Sequence, residues 1–353
     1  MQDDQFPLRC LPADVMKNVL RTMDRDQLFS YSLISRATKR NVMDLKMKLR
    51  FFGIFIDSKL QLTVTILPDN YRIQLTFDRN RTVKWNPAEN EPLVLDTPRI
   101  VEVKCSKDYG EAFTGNTVME NSRMTVREYI LHLFDIFHHP LITSIRFAEG
   151  SDRFDNRFIR RMVEGLTVNR TIFHQLSLDI CYHHLMIRTT IHPKTVLLNS
   201  DLEPVESLQK LVIQNTEDVV FHSKLFTPED SIPFRLDDVL INSSENIHMY
   251  CTVSSDTDLN RFLKLWMKGS NPRLKYMEVG WTLGPEKDQL VIMNGIRHRV
   301  MEEDERRERP YPMKIEKRTV VASEGAFVIR RYNGVEATVS FQRPQFMELA
   351  VWD

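Results

Sequence analysis

The spacing of apolar residues changes along this chain, and each change marks a new predicted element. Residues 6–49 carry helical spacing. Leu11, Val15, Val19, Leu20 and Met23 form one apolar stripe behind Pro12. Proline suits a first helical position, where a missing N–H costs nothing. Asp24 with Gln27 three residues on spells a capping box for a second helix, which carries Leu28, Phe29 and Leu33. Ser35 can cap a third helix with Val42, Leu45 and Leu49 on one side. Roughly 40 residues of this kind bury too little surface to stand alone. Their cover is either another protein's helices or later parts of this chain, and periodicity does not separate the two.

The period then falls to two. Phe52, Ile54 and Ile56 alternate, as do Leu60, Leu62, Val64 and Ile66, with Asp57, Ser58 and Lys59 between them as a hairpin turn. Tyr71, Ile73, Leu75 and Phe77 continue the pattern, and residues 82–85 spell a short fourth strand. A small antiparallel sheet follows, one face buried and one wet. Residues 87–98 read as a loop, 100–103 as a further strand and 107–122 as polar and irregular.

Helical spacing returns at Thr125, which with Glu128 spells a second capping box ahead of Tyr129, Ile130, Leu133, Phe134 and Phe137. A helix is also predicted over 153–166, with Phe154, Phe158, Ile159, Met162 and Leu166 facing in. Short strands recur at 144–147, 175–178, 210–213, 246–249 and 276–279, at intervals of 31, 35, 36 and 30 residues. Leu208, Leu211 and Ile213, then Leu274, Met277 and Val279, repeat an LxxLxL-like spelling. Stacked, degenerate leucine-rich-repeat-like α/β units with a parallel sheet follow from this, although the Asn ladder of a regular repeat is absent. Residues 256–268 form a helix of this series, with Leu259, Phe262, Leu263 and Trp266 on its apolar stripe. Residues 285–309 read as helical, supported by Glu302–Arg306, Glu303–Arg307 and Glu305–Arg309 pairs at i,i+4. Strands at 319–322, 326–332 and 336–341 close the chain, the last two joined by the hairpin signal Asn333-Gly334 and ended by Pro344.

Composition narrows the function classes. Of 353 residues, 42% are hydrophobic and 27% charged, which is globular rather than disordered. Lys+Arg and Asp+Glu are both 48, so no bulk field draws nucleic acid or an acidic membrane. Cys10, Cys105, Cys181 and Cys251 lie far apart with no CxxC, which fits a reducing, intracellular compartment, cytoplasmic or nuclear. Neither a secretory leader nor a membrane span is expected. His138, His139, His174, His183, His184, His192 and Cys181 match no usual zinc spacing, so no metal or other cofactor is expected. GxGxxG, GxxxxGK[ST] and GxSxG are absent, so no catalytic residues are assigned. Arg36, Lys39, Arg40, Lys46, Lys48 and Arg50 read as a solvated face, with nucleic-acid contact as the alternative. Trp266, Trp281, Trp352 and Phe346 are either core residues or anchors for a bound protein.

The order Leu11-Pro12, Val15, Val19, Met23-Asp24, Leu28, Ser32, Ser35, Lys39 and Val42 resembles the F-box of the large nematode F-box families. Arg36, Lys39 and Arg40 stand where many F-boxes carry a third-helix Trp. The stretch FLKLWMKGSNPRLKYMEV, within residues 259–281, resembles the type-2 F-box-associated region of the same families. Its helix is expected to stop at Lys268-Gly269, with Pro272 soon after and a strand from Leu274. Together the resemblances imply an α+β chain: a three-helix F-box (residues 5–50), an antiparallel β region (51–122), the repeat-like F-box-associated region (123–284), and a C-terminal helix and β-hairpin (285–353). They imply a non-enzymatic, substrate-recruiting subunit of an SCF-type (Skp–cullin–F-box) ubiquitin ligase. The Skp-family adaptor, and through it a cullin, would dock on Phe6, Leu8, Leu11, Pro12, Val15, Val19, Leu28, Ser32, Leu33 and Ser35, while the body binds a target protein. The alternative is an interaction scaffold of the same architecture with no ligase role.

Overall fold

A computed structural model describes residues 11–78, 91–107, 115–121, 123–174, 193–199, 215–222, 236–250, 255–281, 287–311, 319–341 and 345–352. The chain is α+β and divides into two compact units, one of residues 1–146 with 150–168, the other of 147–149 with 169–353.

The first unit begins with the expected helical trio: α1 (Ala13–Thr22), α2 (Arg25–Ser32) and α3 (Arg36–Met43). Local side chains set the breaks. Gln27 Oε1 accepts the Asp24 backbone N–H at 3.2 Å, and Ser35 Oγ accepts that of Thr38 at 3.2 Å. Strands β1 (Leu49–Ile56), β2 (Leu60–Ile66), β3 (Tyr71–Asp78), β4 (Ile100–Ser106) and β5 (Gly115–Glu120) form an antiparallel meander. Helix α4 (Val126–Phe137), capped by Thr125 as expected, leads to β6 (Leu141–Phe147), which lies beside β1; α5 (Asn156–Val163) follows. Phe134 of α4 packs edge-on to Phe52 at 5.1 Å, and Tyr129 lies 5.4 Å from Phe77.

Two expectations fail here. Residues 115–120 are not irregular but form β5, an edge strand whose Asn116, Thr117, Val118 and Glu120 are exposed; with no alternation of burial there was none to read. The sheet also lacks a clean wet face, since Thr63 and Thr65 of β2 are buried along with Leu60, Leu62, Val64 and Ile66. Gly53 sits opposite Thr63. A Cβ at Gly53 would come within 2.5 Å of the Phe51 ring and 2.8 Å of the Phe55 ring. The missing side chain lets those two rings close over the glycine on that face.

The second unit holds the parallel sheet. Strands β7 (Thr167–His174), β8 (Thr195–Asn199), β9 (Asp218–His222), β10 (Asn246–Tyr250) and β11 (Tyr276–Gly280) run parallel in that spatial order. Arg170, Thr195, Asp218, Asn246 and Tyr276 stand in register, so the repeat runs 25, 23, 28 and 30 residues. The strands expected at 246 and 276 are in place. Those expected at 82–85, 175–178 and 210–213 lie outside the described residues. At the strand entries Thr195 Oγ1 donates to Asp218 Oδ2 at 2.8 Å, and Asn246 Nδ2 to Asp218 Oδ1 at 2.8 Å. These polar side chains tie three neighbouring strands at their entries.

Helix α6 (Leu236–Leu240) precedes β10, and α7 (Asp256–Met267) lies between β10 and β11, burying Leu259, Phe262, Leu263 and Trp266. The predicted stop after Lys268 is present: Gly269 has φ +109°. The helix predicted over 285–309 is not. One turn, α8 (Gln289–Ile292), gives way at Gly295 (φ +66°) to β12 (His298–Val300) and β13 (Arg307–Pro310). Residues 297–309 have no apolar stripe for a helix to bury, and i,i+4 pairs are worth only about 0.2–0.5 kcal/mol each. The charges pair across strands and turns instead, as Arg299–Glu305 and Arg307–Glu336.

β13 pairs with β14 (Thr319–Ala322). β15 (Phe327–Arg330) and β16 (Glu336–Ser340) make the expected hairpin, with Gly334 at φ +93°. The chain does not end its sheet at Pro344. Strand β17 (Phe346–Trp352) inserts antiparallel between β11 and β16, joining the parallel and antiparallel parts in the order β7-β8-β9-β10-β11-β17-β16-β15-β12.

Candidate functional site

The helical trio has two faces. Its inner face is sealed by the same unit: Leu20, Leu28, Phe29 and Val42 are at most 1% exposed. Ser32 Oγ donates to the Phe29 carbonyl at 2.6 Å and lies 2.8 Å from His132 Nε2 on α4. That use of the hydroxyl proton leaves His132 Nε2–H as the donor in the second bond. The His132 ring also packs edge-on against Phe29. Burial pushes the His132 pKa down to about 4; Lys39 adds to the shift and Asp135 opposes it. Around this contact, Lys39 bridges to Asp135, His138 Nε2 lies 3.0 Å from the Met43 carbonyl, and Tyr71 OH donates to Asp26 at 3.3 Å.

The outer face is open. Val15 is 45% and Ile34 65% exposed; Pro12 is exposed, and Leu11, Val19, Leu33 and Ser35 are half-buried. Phe6 and Leu8 lie outside the described residues. Leu28 and Ser32 are not on that open surface: both are buried within the first unit, and Ser32 faces His132 of α4. Ser35 is occupied in capping α3. Ile34, absent from the sequence-derived set, is the most exposed large apolar residue on the trio. It breaks the helical spacing because it sits in the turn after α2, so no periodicity pointed to it.

The basic residues of this region do not converge on one site. Lys39 is paired with Asp135, Arg50 donates to Asn70 at 3.0 Å, and Arg36, Arg40, Lys46 and Lys48 are exposed. His138 sits at the left-handed stop of α4 (φ +50°), and burial lowers the pKa of His139. Cys105 is a buried thiol in no disulfide, and burial pushes its pKa up to about 11. Cys10, Cys181, Cys251, His183, His184 and His192 are outside the described residues. Among the described residues no group of three or more His, Cys, Asp or Glu side chains is placed to hold a metal ion, and no helix is long and apolar enough to cross a membrane.

In the second unit the tryptophans are mostly core. Trp266 is 0% and Trp281 6% exposed, so neither can anchor a partner. Trp352 is half-buried, donates Nε1–H to Thr338 and has Arg309 over its ring at 5.6 Å. At the centre of β10 and β11 lies a polar knot. Glu278 Oε2 accepts from Tyr311 OH at 2.7 Å and Tyr250 OH at 2.9 Å, and stands 3.3 Å from His248 Nδ1, with both His248 and Glu278 at 0% exposure. Burial, then the Glu278 charge, pushes the Tyr311 pKa far up, so its hydroxyl remains a donor.

α7 ends in a second buried polar centre. The Arg331 guanidinium lies 4.4 Å over the Trp266 ring and donates to the carbonyls of Trp266, Ser270, Asn271 and Pro272. A cation thus bridges a carbonyl of the last helical turn and those of the turn that follows it, at the negative end of the helix dipole. Burial lowers the Arg331 pKa.

That helix stop and the strands around it are what the comparison with known families recognises. Residues 207–279 match the profile of a family described as F-box associated. The F-box-associated region thus spans β9, α6, β10, α7 and most of β11. It contains His248, Glu278, Trp266 and the Gly269 turn, and it coincides with most of the stretch whose spelling suggested it. No curated protein and no solved structure shows a significant match to the chain.

Proposed function

We propose that this chain is the substrate-recruiting subunit of an SCF-type ubiquitin ligase. Its N-terminal trio would hold a Skp-family adaptor, and through it a cullin, and the second unit would hold the target. The observation that carries the reading is the F-box-associated region at 207–279, in a chain whose first helices keep Val15 and Ile34 exposed beside Leu11, Pro12, Val19 and Leu33. The F-box spelling of residues 11–42 supports it, including its nematode form.

The work done is tethering. Holding a target near the charged conjugating enzyme raises the effective concentration of its lysines. No bond is made or broken by this chain, which needs no catalytic residue or cofactor of its own. The same reading places it inside the cell, in cytosol or nucleus.

One observation favours the scaffold reading: Leu28 is buried within the first unit and Ser32 is spent on its α4, so the trio also serves as part of that unit's own core. Co-expression with a Skp-family adaptor separates the two. Val15→Glu with Ile34→Glu alters exposed positions only, so the melting curve stays while adaptor co-purification is lost. An adaptor that never co-purifies with the wild-type chain refutes the ligase reading and leaves the scaffold.

A further inference from the structure

The sheet of the second unit ends in β12, all three of whose residues are exposed. Its direction of hydrogen bonding is fixed by the next residue: Met301 N–H donates to the Ala326 carbonyl at 2.8 Å, in line with the β12–β15 register. Backbone groups alternate sides along an antiparallel strand. The N–H and C=O of His298 and Val300 therefore point away from β15, and among the described residues nothing pairs with them. Such an edge is a template for another strand.

The chemistry beside the edge is asymmetric. Arg297 and Arg299, two apart, share one face of the sheet. The β12–β15 and β15–β16 registers carry that face on through Val328, Arg330 and Glu336. An open cavity of about 580 Å³ is lined by these residues with Met267, His298, Ile329 and Arg331, the last held by backbone carbonyls. Glu336 accepts from Arg330 at 2.6 Å and Arg307 at 2.8 Å, and Glu305 pairs with Arg299. Arg297 has no acidic partner among the described residues. Arg297, Arg299, Arg307 and Arg330 thus meet three carboxylates, Glu305, Glu336 and Glu302, the last acting on Arg299 through its charge. The other face is apolar: Val300 is 50% exposed opposite Phe327, on which the His298 ring stacks edge-on at 5.1 Å.

We propose that the β12 edge takes an extended acidic segment of a partner protein as an added strand. Carboxylates at alternate positions would meet the arginine row, and β-branched residues between them would meet Val300 and Phe327. This names the kind of segment the second unit recognises, and it rests on the reading of that unit as target-binding. A single nucleic-acid strand fits less well, because it needs rings on the side of the cations, and here the rings lie on the opposite face.

Fluorescence anisotropy with the full chain tests it, using a ten-residue peptide of alternating Glu and Val against one of alternating Lys and Val. The acidic peptide binds, and binding weakens between roughly 0.05 and 0.5 M salt. Arg297→Glu with Arg299→Glu lowers affinity at least about tenfold (about 1.4 kcal/mol). Val300→Pro removes an outward N–H and no bond to β15, and lowers it similarly with an unchanged melting curve; should either variant melt early, Arg297→Ala replaces it. Equal binding of both peptides, indifference to these substitutions, or preferential binding of a ten-nucleotide oligothymidine at the same edge overturns the proposal. Adaptor co-purification is measured on the same samples. Failure of the wild-type chain to bind the acidic peptide while it retains the adaptor rejects this inference alone, whereas wild-type peptide binding without any adaptor rejects the ligase reading alone.

Discussion

His132 couples the stability of the first unit to pH, and His132→Gln isolates the effect. The ring nitrogen bonded to Ser32 is buried with Phe29 against it, and the folded pKa is about 4 against an ordinary 6.5. The unfolded chain therefore takes up a proton as pH falls through about 6.5, and the folded chain resists until about 4. Stability is full above the unfolded pKa, declines across that window and levels off below it. The whole shift corresponds to about 3 kcal/mol at about 1.4 kcal/mol per unit, of which about 2 kcal/mol is gone by pH 5. Lys39 and Asp135, the charged groups facing the ring, act in opposite directions, so burial dominates. Glutamine keeps a donor for Ser32 without titrating. Hydrogen–deuterium exchange of peptides from residues 25–43 and 126–137, followed from pH 7.5 to 4.5, gives the local opening free energy. The wild type should lose about 2 kcal/mol more than His132→Gln between pH 7.5 and 5. Parallel pH dependences in the two proteins would refute the claim that this contact is buried and neutral.

Other substitutions test separate contacts. Leu28→Ala, at 0% exposure, should cost about 2–5 kcal/mol in urea unfolding, whereas Val15→Ala, at 45%, should cost less than about 1 kcal/mol; similar costs would mean that the trio does not pack as described. Arg331→Met should lower the melting temperature of the second unit, by about 3 kcal/mol equivalent, because four carbonyls lose a shared donor; Arg331→Lys should recover only part, since an ammonium cannot reproduce the fork over Trp266. Gly269→Ala should destabilise by at least about 1 kcal/mol in the same assay, since φ is +109° and a Cβ would stand 2.7 Å from the Tyr332 ring.

How far the sequence reached depended on the range of the forces involved. Asp24, Ser35 and Thr125 fixed helix starts, and Gly269 a helix end, because a cap is satisfied within a few residues. Alternation at Phe52–Ile56 and at Leu60–Ile66 marked strands because the apolar side chains recur on one face, although β2 is covered on both. The FLKLWMKGSNPRLKYMEV spelling marked the F-box-associated region, which the family match at 207–279 supports.

Tertiary structure alone decided the rest. Glu302–Arg309 carries good helical pairs, yet its residues lie in strand and turn, because Glu336 and β14 supply partners no local window contains. β5 and β17 were invisible, one being an exposed edge and the other lying beyond a proline. Which face of the trio stays open was equally out of reach. Leu28 and Val15 are alike in a hydrophobicity pattern, and only the packing of the folded unit buries the first and leaves the second to solvent. Local spacing says that a side chain must be covered; it takes the folded chain to say by what.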